Sequence, residues 1–399
     1  MNFALNDIGW LLVTAAIVAM VARRARVPYA VGLVIAGAAL AAAGLAPQLR
    51  LSRELVYLVF LPPLVFEAAL YLDWRELRRD LVVIGVLATV GVLIAATITA
   101  AGMHYLAGWP LATAACFGAL IAATDPVSVI ATFKEAGVRG RLRMLVEAES
   151  LFNDATAAIL FGVALAFAAG TMDGPVSIGA SLVMSIGGGI AAGALIAWIA
   201  VLFTRHTDDH LIEVTITTVA AYASFLLAER FHGSGVLASL TAGLIMGNVA
   251  MRGAVSENGR AAVTAFWDYA AFLVNSFVFL LIGVQITREH IASLALEAGI
   301  AIALVLVARA ATIYPLSALF ARTPLRVSAP HQHMLFWGGL RGALALALAL
   351  GLPESLPQRD HVVTITFAVA AFSIIVQGTT TPMLLRRLGE IGSAGSGKA

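Results

Sequence analysis

The chain has 399 residues, 60% hydrophobic and 12% charged, with a formal net charge of +2 and a mean hydropathy of +0.93. A soluble domain carries roughly 25% charged residues, so this composition excludes a water-soluble enzyme, a nucleic-acid-binding protein and a disordered chain, and points to a polytopic helical membrane protein surrounded by lipid. The 25 basic and 23 acidic residues nearly balance, which implies no bulk electrostatic partner, and the single cysteine, Cys116, rules out an intrachain disulfide.

Apolar runs between charged or Gly/Pro-rich breaks predict 13 helices, near 8–22, 27–45, 54–71, 81–104, 111–133, 144–169, 176–203, 211–228, 233–248, 262–286, 291–320, 331–351 and 361–385. The first run is not a signal peptide, because Asp7 precedes it and Arg23, Arg24 and Arg26 follow it. Long continuous runs also exclude a β-barrel, whose strands alternate. The ninth run is short and holds Gly235, Gly243 and Gly247, so the pair 211–228 and 233–248 is the weakest part of the count. Of the 25 Lys and Arg, 18 lie in odd-numbered loops and the C-terminal tail, five lie in even-numbered loops, and Arg309 and Arg341 lie inside spans. That asymmetry supports an odd number of spans with the N-terminus outside and the C-terminus inside. Residues 392–399, mostly Gly, Ser and Ala, read as a flexible tail.

Six charges fit neither helix ends nor topology: Glu67, Asp125, Glu149, Asp154, Arg309 and Arg341. A charge at the bilayer centre costs a few kcal/mol or more, so such groups face a polar cavity or one another. A structural ion pair between helices is the plain alternative for any one of them. In the fifth span, Thr124-Asp125-Pro126 places a proline where it removes an N–H and clashes with the preceding turn. An interrupted helix presents a positive N-terminal end and a negative C-terminal end, so Asp125 would neutralise the former and Thr124 would add a hydroxyl; a simple kink is the alternative. In the twelfth span, Gly338, Gly339 and Gly342 flank Arg341, which would suit the negative end of a half-helix. Spans five and twelve correspond if spans 1–6 and 8–13 are inverted repeats joined by span seven, and paired broken helices are the best sequence pointer to a transporter site.

The sixth span carries Glu149-Ser150-Leu151-Phe152-Asn153-Asp154. Residues four apart share a helix face, so Ser150 lies with Asp154 and Glu149 with Asn153, two oxygen-rich stripes suited to a hard cation such as Na⁺. Arg309, deep in the eleventh span, needs a carboxylate; Glu149 is the first choice, which would leave Asp154 unpaired, and Arg341 competes for it. Glu67 follows Pro62-Pro63 in the third span and serves either transport or an interface. His104, His331 and His333, near span ends, read as interfacial rather than pH-sensing residues. No phosphate-binding loop or zinc-ligand spacing is visible, so neither ATP drive nor a resident cofactor is expected and an intramembrane enzyme is disfavoured.

Four segments together resemble the NhaP-type sodium/proton antiporters of the cation/proton antiporter superfamily, to which the animal sodium/proton exchangers belong: Leu61-Pro62-Pro63-Leu64-Val65-Phe66-Glu67, Ala123-Thr124-Asp125-Pro126-Val127, Glu149 to Asp154, and Gly339-Leu340-Arg341-Gly342-Ala343. The resemblance implies an all-α NhaA-like antiporter fold and a homodimer in a prokaryotic inner membrane. It implies dimerisation helices 1–3 in residues 1–80 and 8–10 in 205–290, core helices 4–6 in 81–170 and 11–13 in 291–388, a linking helix in 171–204, and a tail in 389–399. It further implies a Na⁺ site from Asp154, Ser150 and Thr124 with Asp125 and Glu67 nearby, a Glu149–arginine pair, and helix breaks at Pro126, Gly339 and Gly342. Electrogenic relatives have Asp-Asp where this chain has Asn153-Asp154, so the resemblance favours electroneutral exchange of one Na⁺ or Li⁺ for one proton, with Asp154 binding each in turn. Larger members carry a regulatory domain after the last span, and regulation through one is not expected here. A K⁺/H⁺ antiporter on the same scaffold is the nearest alternative, and a cation channel or a non-transporting membrane sensor is a more distant one.

Overall fold

The computed structural model describes residues 5–25, 27–45, 51–125, 129–130, 133, 137–171, 175–288 and 291–390. The described residues fold almost wholly into helices: α1 (Leu5–Ala25), α2 (Tyr29–Ala42), α3 (Leu55–Tyr71), α4 (Trp74–Ala107), α5 (Leu111–Ile121), α6 (Arg141–Ala168), α7 (Pro175–Thr204), α8 (His210–Arg230), α9 (Gly235–Gly253), α10 (Glu257–Arg288), α11 (Ala295–Leu319), α12 (Ala329–Trp337), α13 (Ala343–Leu350) and α14 (Arg359–Arg387). Among them, α4, α6 to α11 and α14 are long and apolar enough to cross a membrane, as a helix of about 20 residues spans its hydrocarbon core. The shorter α1, α2, α3 and α5 are also apolar.

The apolar runs fall on helices, but their bounds miss charged turns at the helix ends. Arg75, Arg78 and Arg79, expected in a loop before residue 81, instead form the first turns of α4. Arg and Glu are good helix formers, and Asp73 caps the helix by accepting the Arg75 N–H at 2.6 Å. That N–H, together with the Arg252 guanidinium at 2.7 Å, holds the Asp73 carboxyl below the usual carboxylate range. The core boundary placed at residue 81 therefore falls within a helix. The ninth run is one helix, α9, and reaches Gly253.

Two sets of helices pack internally. In one, α2 lies against α10, α3 against α9, and α7, α8 and α9 against each other. Backbones touch here without side chains between them: a Cβ on Gly37 would strike the Leu280 carbonyl, and one on Gly247 would strike the Leu70 carbonyl. Small residues at such crossings replace hydrophobic driving force, which lipid does not supply, with close packing. In the other set, α4 packs on α5 and α11, α5 on α6, and α13 on α14. The side of α3 beginning at Leu55 meets α13, and α3 also touches α6. The candidate site lies at that junction.

Candidate ion-binding site

Two helix breaks face each other across the second set. The α5 helix ends at Ile121, and Ala122 to Asp125 run outside regular helix. Gly338 to Gly342 separate α12 from α13. The two irregular segments pair as an isolated antiparallel bridge, with the Asp125 N–H donating to the Leu340 carbonyl at 2.8 Å. Irregular backbone at membrane depth must find partners inside the protein, and each break supplies them to the other. Pro126, expected to interrupt the fifth span, lies outside the described residues.

The charges at the breaks are exchanged in the same way. Arg341, only 2% exposed, reaches across to donate from Nη1 to the Ala122 and Ala123 carbonyls at 3.2 and 2.9 Å, at the negative end of α5. Asp125 lies against Gly342, the residue before α13, so its carboxylate meets the positive end of that helix. Sequence position alone assigns each charge to an end of its own broken helix; the ends they serve belong to the opposite one. This explains two of the glycines. A Cβ on Gly342 would collide with the Asp125 carboxylate, and one on Gly339 would come within 2.6 Å of Arg309 Nε.

On α6, Glu149 is enclosed by partners. Arg309 Nη1 and Nη2 donate to its two carboxylate oxygens at 2.7 and 2.8 Å, the bidentate geometry that suits guanidinium and carboxylate. Of the two arginines able to make this pair by charge, Arg309 makes it. Arg309 also donates to the Leu335 carbonyl from Nε and Nη2 at 3.2 and 2.9 Å, satisfying the end of α12. Asn153 adds a bond from Nδ2 to Glu149 Oε1 at 3.2 Å. Its amide also staples the fifth-span break: Oδ1 accepts the Thr124 N–H at 3.1 Å and Nδ2 donates to Thr124 Oγ1. The backbone N–H fixes which end of the amide is oxygen. Thr124 Oγ1 and Ser150 Oγ lie 3.0 Å apart. A hydroxyl has one proton and two acceptor sites, and in the bond between Thr124 and Ser150 either oxygen can be the donor.

Asp154 is different. Its Oδ1 is buried and makes no hydrogen bond among the described residues. The residue lines a cavity of about 50 Å³ with Thr124, Asp125, Gly342, Leu151 and the α3 residues Leu61, Leu64, Val65 and Ala68. A water occupies about 30 Å³ in the liquid, so the space suits one or two waters or a partly dehydrated monovalent ion. Buried polar atoms are normally bonded, and an unsatisfied carboxylate oxygen on a residue that shares its cavity with Thr124 and Asp125 belongs to a set of hard oxygen donors.

The structure brings Thr124, Asp125, Asp154 and Gly342 to one cavity, with Ser150, Asn153, Glu149, Arg309 and Arg341 packed behind it. It does not bring Glu67 there. Glu67 is half-buried on α3, and its charge acts on Tyr71 together with that of Asp268. Tyr71 and Asp268 line a separate cavity of about 420 Å³ with Asp73, Glu76, Glu147, Arg139 and Arg143. Sequence reasoning passes over Gln377, 3% exposed, whose Nε2 donates to the Trp337 carbonyl at 3.1 Å and closes the last turn of α12. It lies in the wide turn Ser373–Gln377 of α14. A lone amide in an apolar run is its only signal. Among the described residues no group of three or more His, Cys, Asp or Glu is placed to hold a metal.

A family model described as sodium/hydrogen exchanger, transmembrane, matches residues 12–387. The low-affinity Na⁺/H⁺ antiporter NhaS1 of Synechocystis is 39% identical over 373 residues, covering 92% of this chain and 71% of that protein. The Na⁺/H⁺ antiporter NhaH of Halobacillus aidingensis is 32% identical over 392 residues, covering 95% of this chain and 96% of that one. The sodium proton antiporter MjNhaP1 of Methanocaldococcus jannaschii has the same fold, with a TM-score of 0.77 at 21% identity, covering 96% of this chain and 98% of that one. The protein is thus an integral membrane protein of NhaP type, and the chain belongs to the sodium/hydrogen exchanger family.

Proposed function

We propose that the protein exchanges Na⁺, or Li⁺, for protons by alternating access, with Asp154 taking cation and proton in turn. The observation that carries this reading is the contrast within one buried cluster: Glu149 is bonded on both oxygens, while Asp154, which lines a cavity, has an Oδ1 with no hydrogen-bond partner among the described residues. Ionised, Asp154 binds the cation with the Thr124 hydroxyl oxygen; Ser150 and Asn153 orient that hydroxyl. Protonated, it has lost the charge that holds the cation, and the site is free to turn back. The names of the similar NhaS1 and NhaH proteins support sodium as the cation. Asn153, the residue before Asp154, cannot titrate, which supports one proton per cation and hence an electroneutral cycle.

In this reading the thirteen spans form two inverted six-helix repeats with the N-terminus outside. The core comprises α4 to α6 and α11 to α14, and moves against the α1–α3 and α8–α10 helices of a homodimer. Glu67 lies on α3 next to Ala68, at the site, and one helical turn before Tyr71, at the second cavity, which makes it a relay for cations approaching from that side.

Competition between proton and cation sets the sign of the pH effect. As pH falls through the Asp154 pKa the carboxylate is protonated, so the apparent KM for Na⁺ rises by about tenfold per pH unit, the reciprocal linkage of two ligands at one group. The test is dissipation of a preset pH gradient in proteoliposomes by Na⁺, Li⁺ and K⁺. Dissipation by Na⁺ and Li⁺, with a rate indifferent to an imposed membrane potential, is the expected result. Dissipation by K⁺ alone would replace the sodium reading, and a response to potential would remove the one-for-one stoichiometry.

A further inference from the structure

A cavity of about 300 Å³ lies away from the ion site, between α11, α12 and α14. Phe336 and the 57%-exposed Met383 give it apolar walls, and Arg387 stands at its rim. The polar edges of its aromatic residues are already engaged within the protein. Tyr314 OH and His333 Nδ1 lie 2.9 Å apart, and Trp337 Nε1 donates to Thr380 Oγ1 at 2.8 Å. Arg387 is in the last turn of α14 and forms no ion pair among the described residues. Its end of the chain is the arginine-rich side by the loop tally.

An apolar groove lined by Tyr, Trp and an arginine with no ion pair among the described residues matches both parts of a phospholipid. Aromatic residues belt the membrane interface, and basic pockets between membrane helices take anionic head groups. We propose that this groove binds an anionic phospholipid from the leaflet on the arginine-rich side, its phosphate on Arg387 and an acyl chain along Phe336 and Met383. Free phosphate has no use for the apolar wall, and the uncompensated positive charge at the rim matches an anionic head group. The groove also bears on the exchange machinery. Trp337 is the final residue of α12, and Gln377 of α14 holds its carbonyl at 3.1 Å. A lipid seated between these helices braces the half-helix that precedes the Gly338–Gly342 break.

The test is native mass spectrometry of the full chain in detergent with phosphatidylglycerol, phosphatidylcholine or inorganic phosphate. Phosphatidylglycerol is retained in preference to phosphatidylcholine. Arg387→Gln weakens that retention about fivefold, the effect of one basic residue at an anionic surface, and leaves phosphatidylcholine unchanged. Met383→Trp, which fills the groove and keeps the charge, lowers retention of both lipids. Arg386→Gln, a neighbour that does not line the groove, has a smaller effect than Arg387→Gln. Equal retention by wild type and Arg387→Gln, equal effects of the two arginine variants, or displacement by equimolar inorganic phosphate would each overturn the proposal. Disulfide-linked dimers of Met383→Cys in bilayers would assign the groove to a second copy and overturn it as well.

Discussion

Glu149 and Asp154 are two carboxylates on one helix, about 140° apart around its axis at 3.6 residues per turn, and they meet opposite fates. Glu149, with a side chain 2% exposed, receives two bonds from Arg309 and one from Asn153. Asp154 Oδ1 receives none among the described residues, and the residue lines a cavity at the crossed breaks. In the proposed cycle, identical chemistry is thereby divided between structure and exchange. A carboxylate already neutralised at fixed geometry cannot exchange ligands without breaking the core, whereas an unsatisfied one gains from any cation or proton that reaches it.

The sharpest way to break this comparison is to disturb the matched acid. Glu149→Gln leaves Arg309 buried without its counter-charge and should destabilise the protein by about 3–5 kcal/mol, read as a large fall in the thermal midpoint in detergent. Replacing both partners, Glu149→Gln with Arg309→Met, should recover much of that loss, because a buried pair replaced as a unit is often close to neutral. No recovery would mean that the bonds from Arg309 to the α12 end matter more than the pair. The next effect is at the breaks. Gly342→Ala pushes a methyl group into the Asp125 carboxylate and should lower exchange by more than tenfold at modest cost to folding, measured in proteoliposomes alongside thermal unfolding. Normal exchange by this variant would separate Asp125 from the site. Smallest is Gln377→Leu, which leaves the Trp337 carbonyl without its side-chain donor and should cost about 1–3 kcal/mol, with exchange slowed rather than abolished.

Much of the site is legible in the amino-acid sequence, because membrane burial makes charge conspicuous. Asp125, Glu149, Asp154, Arg309 and Arg341 stand out against apolar neighbours, and Gly339 and Gly342 mark a break. What local pattern does not encode is which distant group completes each one. Helical spacing pairs Ser150 with Asp154, yet Ser150 turns to Thr124, whose break segment comes from another helix. Charge alone leaves Arg309 and Arg341 equivalent for Glu149; the packing of α11 against α12 decides for Arg309. The resemblance puts Glu67 near the site, but the cavity wall of α3 is made by Leu61, Leu64, Val65 and Ala68. Hydropathy locates the helices by their apolar centres and passes over the charged opening turns of α4.

The central claim rests on Asp154, and Asp154→Asn tests it most directly. The amide keeps size and removes both the charge and the titration. Reconstituted into proteoliposomes, the variant should show no Na⁺/H⁺ exchange above background while its thermal midpoint stays at or above that of the wild type, since an unsatisfied buried oxygen has been relieved of its charge. Robust Na⁺/H⁺ exchange by Asp154→Asn would contradict the assignment of cation and proton to this carboxylate.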